Sequence, residues 1–270
     1  MSEQALKSSN LIHKGDDYLI GFSQYFSNPN NLISKALNKR TKPINLDLIS
    51  YRQLNSWEKE GLLNCDRIDE RGWRKFSLID SVWLLIINEL REFGYPIKMI
   101  QKVKIELSEF SPQTNTPMPL LEFHTAFALN GMPVFLLIFK DASISILNYE
   151  QYKLNKEVFG IQNHLLLNIN SFLQKLIPNK NLPVKYKKEI ELNGDELTLI
   201  SLLRLGSYER VEIKYKNGKM DLFTLEEKME TKEKIIDIIH QHNYQEITLV
   251  VNDKKTVSII RKVKKKANIK

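Results

Sequence analysis

The side chains able to do chemistry in this chain are cations and amides gathered in one stretch. Tyr51, Arg52, Asn55 and Lys59 are followed within a few turns by Arg67, Arg71, Trp73, Arg74 and Lys75. That set suits an anionic partner rich in hydrogen-bonding edges. Arginine and lysine contact phosphate oxygens, and asparagine pairs with adenine through two hydrogen bonds. Two readings of Asn55 stand side by side: base pairing of that kind, and a solvent-facing amide in an asparagine-rich protein.

Groups for covalent or metal chemistry are scarce. Cys65 is the only cysteine, which excludes an internal disulfide and points to a reducing compartment. Its place on an expected strand makes it a small packing residue. His240 and His242 form a pair with no further ligands beside it. The sequence has no phosphate-binding glycine loop and no nucleophile elbow. The acidic pairs Asp195-Glu196 and Glu226-Glu227 sit beside expected helix starts, where they suit the helix dipole. No enzymatic activity, cofactor or metal is expected.

The basic stretch needs elements to hold it. Leu54, Trp57 and Leu62 recur at helical spacing and give one apolar face, so a short helix is expected over 50–60. Gly61 ends it, because glycine adopts the left-handed cap conformation without a Cβ penalty. Tyr51, Arg52, Asn55 and Lys59 then lie on the other face. Two short strands, 63–67 and 73–76, are joined by Asp69-Glu70-Arg71-Gly72 in a tight hairpin. Ser77 and Asp80 form a capping box for the next helix. Pro96 suits the first turn of another, whose Ile97, Ile100 and Leu107 make a stripe.

In this order the parts resemble the winged helix-turn-helix of the MerR family of bacterial regulators. The resemblance is carried by Trp57-Glu58-Lys59-Glu60-Gly61-Leu62-Leu63, then Arg67, then Gly72-Trp73-Arg74-Lys75-Phe76, then Phe93-Gly94-Tyr95-Pro96-Ile97-Lys98-Met99-Ile100. It covers roughly residues 45–107. Where the family has Leu-Arg-Tyr-Tyr, this chain has Leu54-Asn55-Ser56-Trp57, so an arginine that supports DNA contact is replaced by Asn55. The motif's first helix is expected over 31–38, with 39–46 as an unusually long turn. The resemblance implies a DNA-binding regulator. On it, Tyr51, Arg52 and Asn55 face bases from the recognition helix, while Arg67, Arg71, Trp73, Arg74 and Lys75 grip the backbone through the wing. A lone cysteine departs from the family's metal- and thiol-sensing branches.

The family's regulators continue into one long dimerising helix, which is not evident here. Residues 108–119 are rich in Ser, Thr, Pro and Asn and read as a linker. Strands are expected over 121–129, 133–140, 143–149 and 164–168, with turns at Asn130-Gly131 and Asp141-Ala142, and a helix over 171–176. This middle block is open between a sensor pocket, a dimer interface and a plain core. Residues 200–226 align with 236–262 without gaps, an offset of 36, placing Tyr208 on Tyr244 and Val211-Glu212-Ile213 on Ile247-Thr248-Leu249. Each copy reads helix, strand, turn, strand, so four strands in one sheet with two helices on one face are expected. Upstream, Tyr18, Phe22, Tyr25 and Phe26 give a short amphipathic helix, expected to pack on the first helix of the DNA-binding domain.

Composition bounds these readings. The chain has 270 residues, 42% hydrophobic content and a formal charge of +8, which favours a polyanionic partner. Residues 1–10 are polar with no long apolar core after them, and no apolar run is long enough for a membrane span. The terminal cluster Arg261, Lys262, Lys264, Lys265, Lys266 and Lys270 reads equally as extra phosphate contacts or as a solvated tail. The expected fold class is α+β: a winged helix-turn-helix DNA-binding domain, a strand-rich middle block and a C-terminal tandem helix–strand–strand repeat. Expected boundaries are an N-terminal arm at 1–30, the DNA-binding domain at 31–107, the linker at 108–119, the middle domain at 120–188, the repeat domain at 189–262 and the basic tail at 263–270. Expected partners are double-stranded DNA, a second copy in a homodimer, and a protein through residues 189–262, with no membrane. The expected location is cytoplasmic, on the nucleoid. Two functions remain open: a sequence-specific transcription regulator, and a mobile-element accessory factor that bends DNA and directs recombination.

Overall fold

The computed structural model describes residues 17–28, 31–40, 49–63, 74–177, 194–216, 219–229, 235–241, 244–252 and 255–266. Two compact units divide the chain, Met1–Glu189 and Ile190–Lys270. In the first, α1 (Asp17–Ser27), α2 (Leu32–Asn38) and α3 (Tyr51–Lys59) lead to α4 (Leu78–Glu92) and α5 (Ile97–Leu107). A single turn, α6 (Ser111–Thr114), and α7 (Pro119–Leu129) follow. Then come β1 (Val134–Phe139), β2 (Ile144–Asn148), α8 (Tyr149–Leu154) with a π-helical turn over Asn155–Phe159, β3 (His164–Asn168) and α9 (Ile169–Leu176). Among the described residues no helix is long and apolar enough to cross a membrane.

The core of this unit follows from α4. Ile79, Val82, Trp83, Leu84, Leu85, Ile86, Ile87 and Leu90 are all buried, and a helix apolar on every side is stable only when enclosed. Helices α2, α5, α7 and α9 enclose it. The expected capping box starts it: Ser77 Oγ accepts the Asp80 N–H at 3.0 Å, and Asp80 Oδ2 accepts the Ser77 N–H at 2.9 Å.

One expected strand is a helix. Residues 121–129 lie in α7, with Pro119 in its first turn. The run is buried on nearly every side, so its apolar pattern has neither a period of two nor one of 3.6, and sequence periodicity does not separate the two. The stretch expected as a linker holds α6 and the buried Thr116 and Met118. The remaining strands form an antiparallel sheet of order β2-β1-β3, in which Leu136 faces Ile146 on one side and Leu167 on the other. Leu137, Phe139 and Leu147 pack with Tyr152 and Ile161 on one face, and α7 and α9 contact β1.

Two buried polar side chains tie the layers together. Asn170 Oδ1 accepts the Val134 N–H at 2.8 Å, while its Nδ2 donates to the Met132 carbonyl at 3.0 Å and the Ala128 carbonyl at 3.3 Å. Glu122, fully buried, accepts on Oε2 from Asn38 Nδ2 at 2.7 Å and from Thr116 Oγ1 at 2.6 Å. The aromatic face of α1 packs on α7, while Asn31, which caps α2, donates to the Tyr25 carbonyl at 2.8 Å. Tyr18, Phe22 and Tyr25 all lie edge-on to Phe123, with centroids 5.2–5.8 Å apart. Burial first, and the nearby Glu122 charge second, push the Tyr25 phenol well above its ordinary pKa.

The second unit runs α10 (Gly194–Leu205), β4 (Arg210–Lys216), β5 (Lys219–Met229), α11 (Ile235–Ile239), β6 (Gln245–Asn252) and β7 (Lys255–Lys266). Its antiparallel sheet has the order β4-β5-β7-β6. Phe223, Leu225, Met229, Ile259 and Val263 are buried on one face. There α11 places Ile238 against Met229 and Ile259, and Asp195 of α10 reaches Lys265 at 3.8 Å. Buried among them, Arg261 Nε donates to Glu227 Oε1 at 2.7 Å and Nη1 donates to Gln241 Oε1. Arg261 to Lys266, expected at the start of a basic tail, therefore lie in β7. The other face carries a charged row, Arg210, Glu226, Lys262 and Glu246, one residue from each strand. Both edge strands carry a register shift, at Lys214/Tyr215 and at Val250/Val251, positions 36 apart.

Candidate nucleic-acid interface

The geometry around α3 fixes its two ends and leaves one side open. Ser50 caps the start: its Oγ accepts the Gln53 N–H at 3.3 Å, and Gln53 Oε1 accepts the Ser50 N–H at 2.8 Å. The other end closes in a Schellman turn. The Leu62 N–H donates to the Trp57 carbonyl at 2.8 Å and the Gly61 N–H to the Glu58 carbonyl at 3.0 Å, with Gly61 at a φ of 69°.

Three side chains from the supporting helices then seize the backbone of that turn. Gln101 Nε2 donates to the Glu60 carbonyl at 2.7 Å and Lys104 Nζ to the Gly61 carbonyl at 2.8 Å, both from α5. Trp83 Nε1 of α4 donates to the Leu62 carbonyl at 2.8 Å. Trp57 and Leu62 are buried beneath. A helix of nine residues is marginal by itself, so its orientation here comes from these tertiary contacts.

The expected site residues separate into three groups. Tyr51 and Arg52 are exposed on α3, Tyr51 at 69%, and Asn55 is half-buried. Arg74 is turned inward, with 7% of its surface exposed. Its Nη2 donates to Asn55 Oδ1 and to Glu58 Oε2, the latter at 2.6 Å, and its guanidinium lies 4.9 Å from the Tyr51 ring centroid. Tyr51, Asn55 and Glu58 are spaced four and three apart, which puts them on one stripe of the helix. Lys75, next to Arg74, is half-buried. Arg67, Arg71, Trp73 and Cys65 lie outside the described residues, as do residues 41–46 of the expected long turn.

Glu58, Gln101 and Lys104 were not among the expected site residues. Only Glu58 left a signal, through its place three positions after Asn55. The exposed side of α3 offers Arg52, Ser56 and Lys59 on a helix held at both ends. That surface is cationic and hydrogen-bonding.

Residues 49–105 match the family model described as MerR HTH family regulatory protein. No curated protein and no solved structure matches the chain. The matched stretch spans α3, α4 and most of α5, and leaves the larger part of the chain outside it. Over residues 49–105 the chain is therefore similar to the helix-turn-helix domain of the MerR regulatory family.

Proposed function

We propose that this protein is a sequence-specific DNA-binding transcription regulator that works as a dimer on two-fold sites. The observation that carries the reading is α3, a capped, braced helix with Arg52 and Lys59 exposed inside a MerR-type domain. A recognition helix must enter the major groove as a rigid body, and the contacts of Gln101, Lys104 and Trp83 supply that rigidity. Arg52 and Tyr51 are the base-facing residues in this reading. Arg67, Arg71, Trp73 and Lys75 hold the sugar-phosphate backbone through the wing.

Arg74 takes a different part. Buried against Glu58 and Asn55, it positions the helix against the start of α4 and orients the Asn55 amide. The Asn55 oxygen has a second lone pair for an adenine N6–H, and its Nδ2 is the donor to N7. An arginine on the helix has thus been exchanged for an amide whose direction Arg74 sets.

The test is selection from sheared genomic DNA at near-physiological salt, followed by sequencing of what stays bound. Enrichment of a few promoter-proximal sites with two-fold symmetry is the expected result. No enrichment over input overturns the reading. One observation favours a second reading, a DNA-bending accessory factor of a mobile element. Helix α5 stops at Leu107, and Phe110 takes left-handed backbone at φ 68°, so no long helix continues from the domain. That reading predicts clustered sites at element ends and a bend on binding.

A further inference from the structure

The two edges of the sheet in the second unit are not alike. Strand β4 carries Arg210, Glu212, Lys214 and Lys216 among its seven residues. Charged side chains, lysine above all, are how exposed edges avoid pairing with other chains. Strand β6 occupies the corresponding edge, with its register shift 36 positions after that of β4, and carries one charge, Glu246, among its eight residues. Leu249, Val250 and Val251 are 40%, 45% and 58% exposed along it.

The outward backbone groups of β6 can be assigned. The Lys264 N–H donates to the Tyr244 carbonyl at 3.2 Å, so by antiparallel alternation Tyr244, Glu246 and Thr248 turn their N–H and C=O groups toward β7. Ile247 and Leu249 turn theirs away from the sheet.

We propose that β6 is a dimerisation edge: two copies of this chain pair β6 with β6, antiparallel about Thr248, joining their sheets into one. In that register the outward groups of Ile247 meet those of Leu249 in the copy, and the reverse. Thr248 faces Thr248, and Glu246 faces Val250, so no like charges meet. The equivalent pairing of β4 about Glu212 sets Glu212 against Glu212 and Arg210 against Lys214. It is self-repelling, which leaves β6 as the self-complementary edge. The pairing provides the two-fold that a reader of inverted repeats needs, and in that it rests on the function proposed above.

The test measures the mass of the full chain in solution without DNA, by light scattering over a range of concentrations. Wild-type protein is expected at the mass of two chains. The double variant Thr248→Glu with Val250→Glu, which sets carboxylate against carboxylate at the centre of the pairing and against Glu246 on both flanks, is expected at the mass of one chain with an unchanged circular dichroism spectrum. Lys228→Ser, on the open face of the inner strand β5, is expected to stay at two. Wild-type protein at one-chain mass throughout, or a double variant still at two, overturns the proposal. Amide exchange gives a second readout that needs no variant. Ile247 and Leu249 are expected to be protected at high concentration and released on dilution, and fast exchange of both at every concentration also overturns it. DNA binding separates the two readings: the monomeric variant is expected to hold a half-site normally and to lose the gain from two linked sites, roughly 10²–10⁴-fold. A wild-type monomer that still selects two-fold sites sinks the edge alone. A β6 dimer that selects no DNA sinks the regulator alone.

Discussion

Arg74 Nη2 lies 2.6 Å from Glu58 Oε2, sixteen residues away in sequence, with both side chains largely withdrawn from water. The pair joins the last turn of α3 to the segment that leads into α4. Breaking a buried pair from one side costs about 3–5 kcal/mol, because the remaining charge is stranded. Glu58 keeps 27% of its side chain exposed, so the loss is expected near the lower end of that range. Arg74→Ala is therefore expected to lower the urea midpoint and to weaken DNA binding, most of all on the sites where an oriented Asn55 reads a base. Arg74→Lys, with a point charge in place of a planar fork, recovers only part of either. A variant with unchanged midpoint and reduced binding puts Arg74 on the DNA backbone instead.

Arg52 and Lys59 stand on the exposed side of the same helix and are expected to behave differently from each other. Arg52→Ala should cost about 1–3 kcal/mol on the selected site and flatten the preference among base substitutions there. Lys59→Ala should weaken matched and scrambled DNA equally and reduce the salt slope by about one. Binding titrations on matched and scrambled duplexes at several salt concentrations decide this. Equal effects of the two substitutions at all sites remove the division between base and phosphate contacts.

Much of this arrangement was legible in the sequence wherever a local rule stood alone. Gly61 announced the end of α3, Ser77 with Asp80 announced the start of α4, and Asp141-Ala142 announced the β1–β2 turn, where Ala142 takes a φ of 70°. Ser50 and Gln53 carried the same kind of capping signal and were open to the same reading. The failures came where tertiary structure overrides pattern. In α7 complete burial erased the period that separates helix from strand. Arg74 sits in a run of cations, and sequence gives no sign that one of them faces inward to Glu58 and Asn55. The backbone contacts of Gln101 and Lys104 join residues more than forty positions apart, which no local pattern encodes.

Glu122 offers a third check, on how α2 is held to α7. Asn38 of α2 and Thr116 both donate to one oxygen, Oε2. A glutamine that places its carbonyl there keeps both bonds and removes the buried charge. Glu122→Gln is thus expected to shift stability by no more than about 1 kcal/mol, whereas Glu122→Ala leaves the buried Thr116 hydroxyl without this acceptor, at about 1–3 kcal/mol, and leaves Asn38 Nδ2 its bond to the Ser34 carbonyl. Chemical denaturation of the two variants measures the difference. Equal losses for both mean that the charge itself is what α2 needs.

The pair Arg261–Glu227 allows a sharper experiment, because the sheet carries its own apolar substitute. Strands β5 and β7 place Glu226 opposite Lys262; one step to one side Glu227 faces Arg261, and one step to the other Leu225 faces Val263. All four flanking residues are buried, so a buried ion pair and a buried aliphatic pair occupy corresponding places in one sheet. Arg261→Ala is expected to cost about 3–5 kcal/mol by leaving the Glu227 carboxylate without its guanidinium. Arg261→Leu with Glu227→Val, which repeats the pair across the centre, is expected to be neutral or to gain about 1–4 kcal/mol, since neither charge then has to leave water. Gln241, which accepts from Arg261, and the Tyr208 phenol beside Glu227, raised above its ordinary pKa by burial first and that carboxylate second, temper the gain. Thermal melts of the single and double variants check this. A double variant as damaged as Arg261→Ala shows that the polar network, rather than the packing, specifies this part of the sheet.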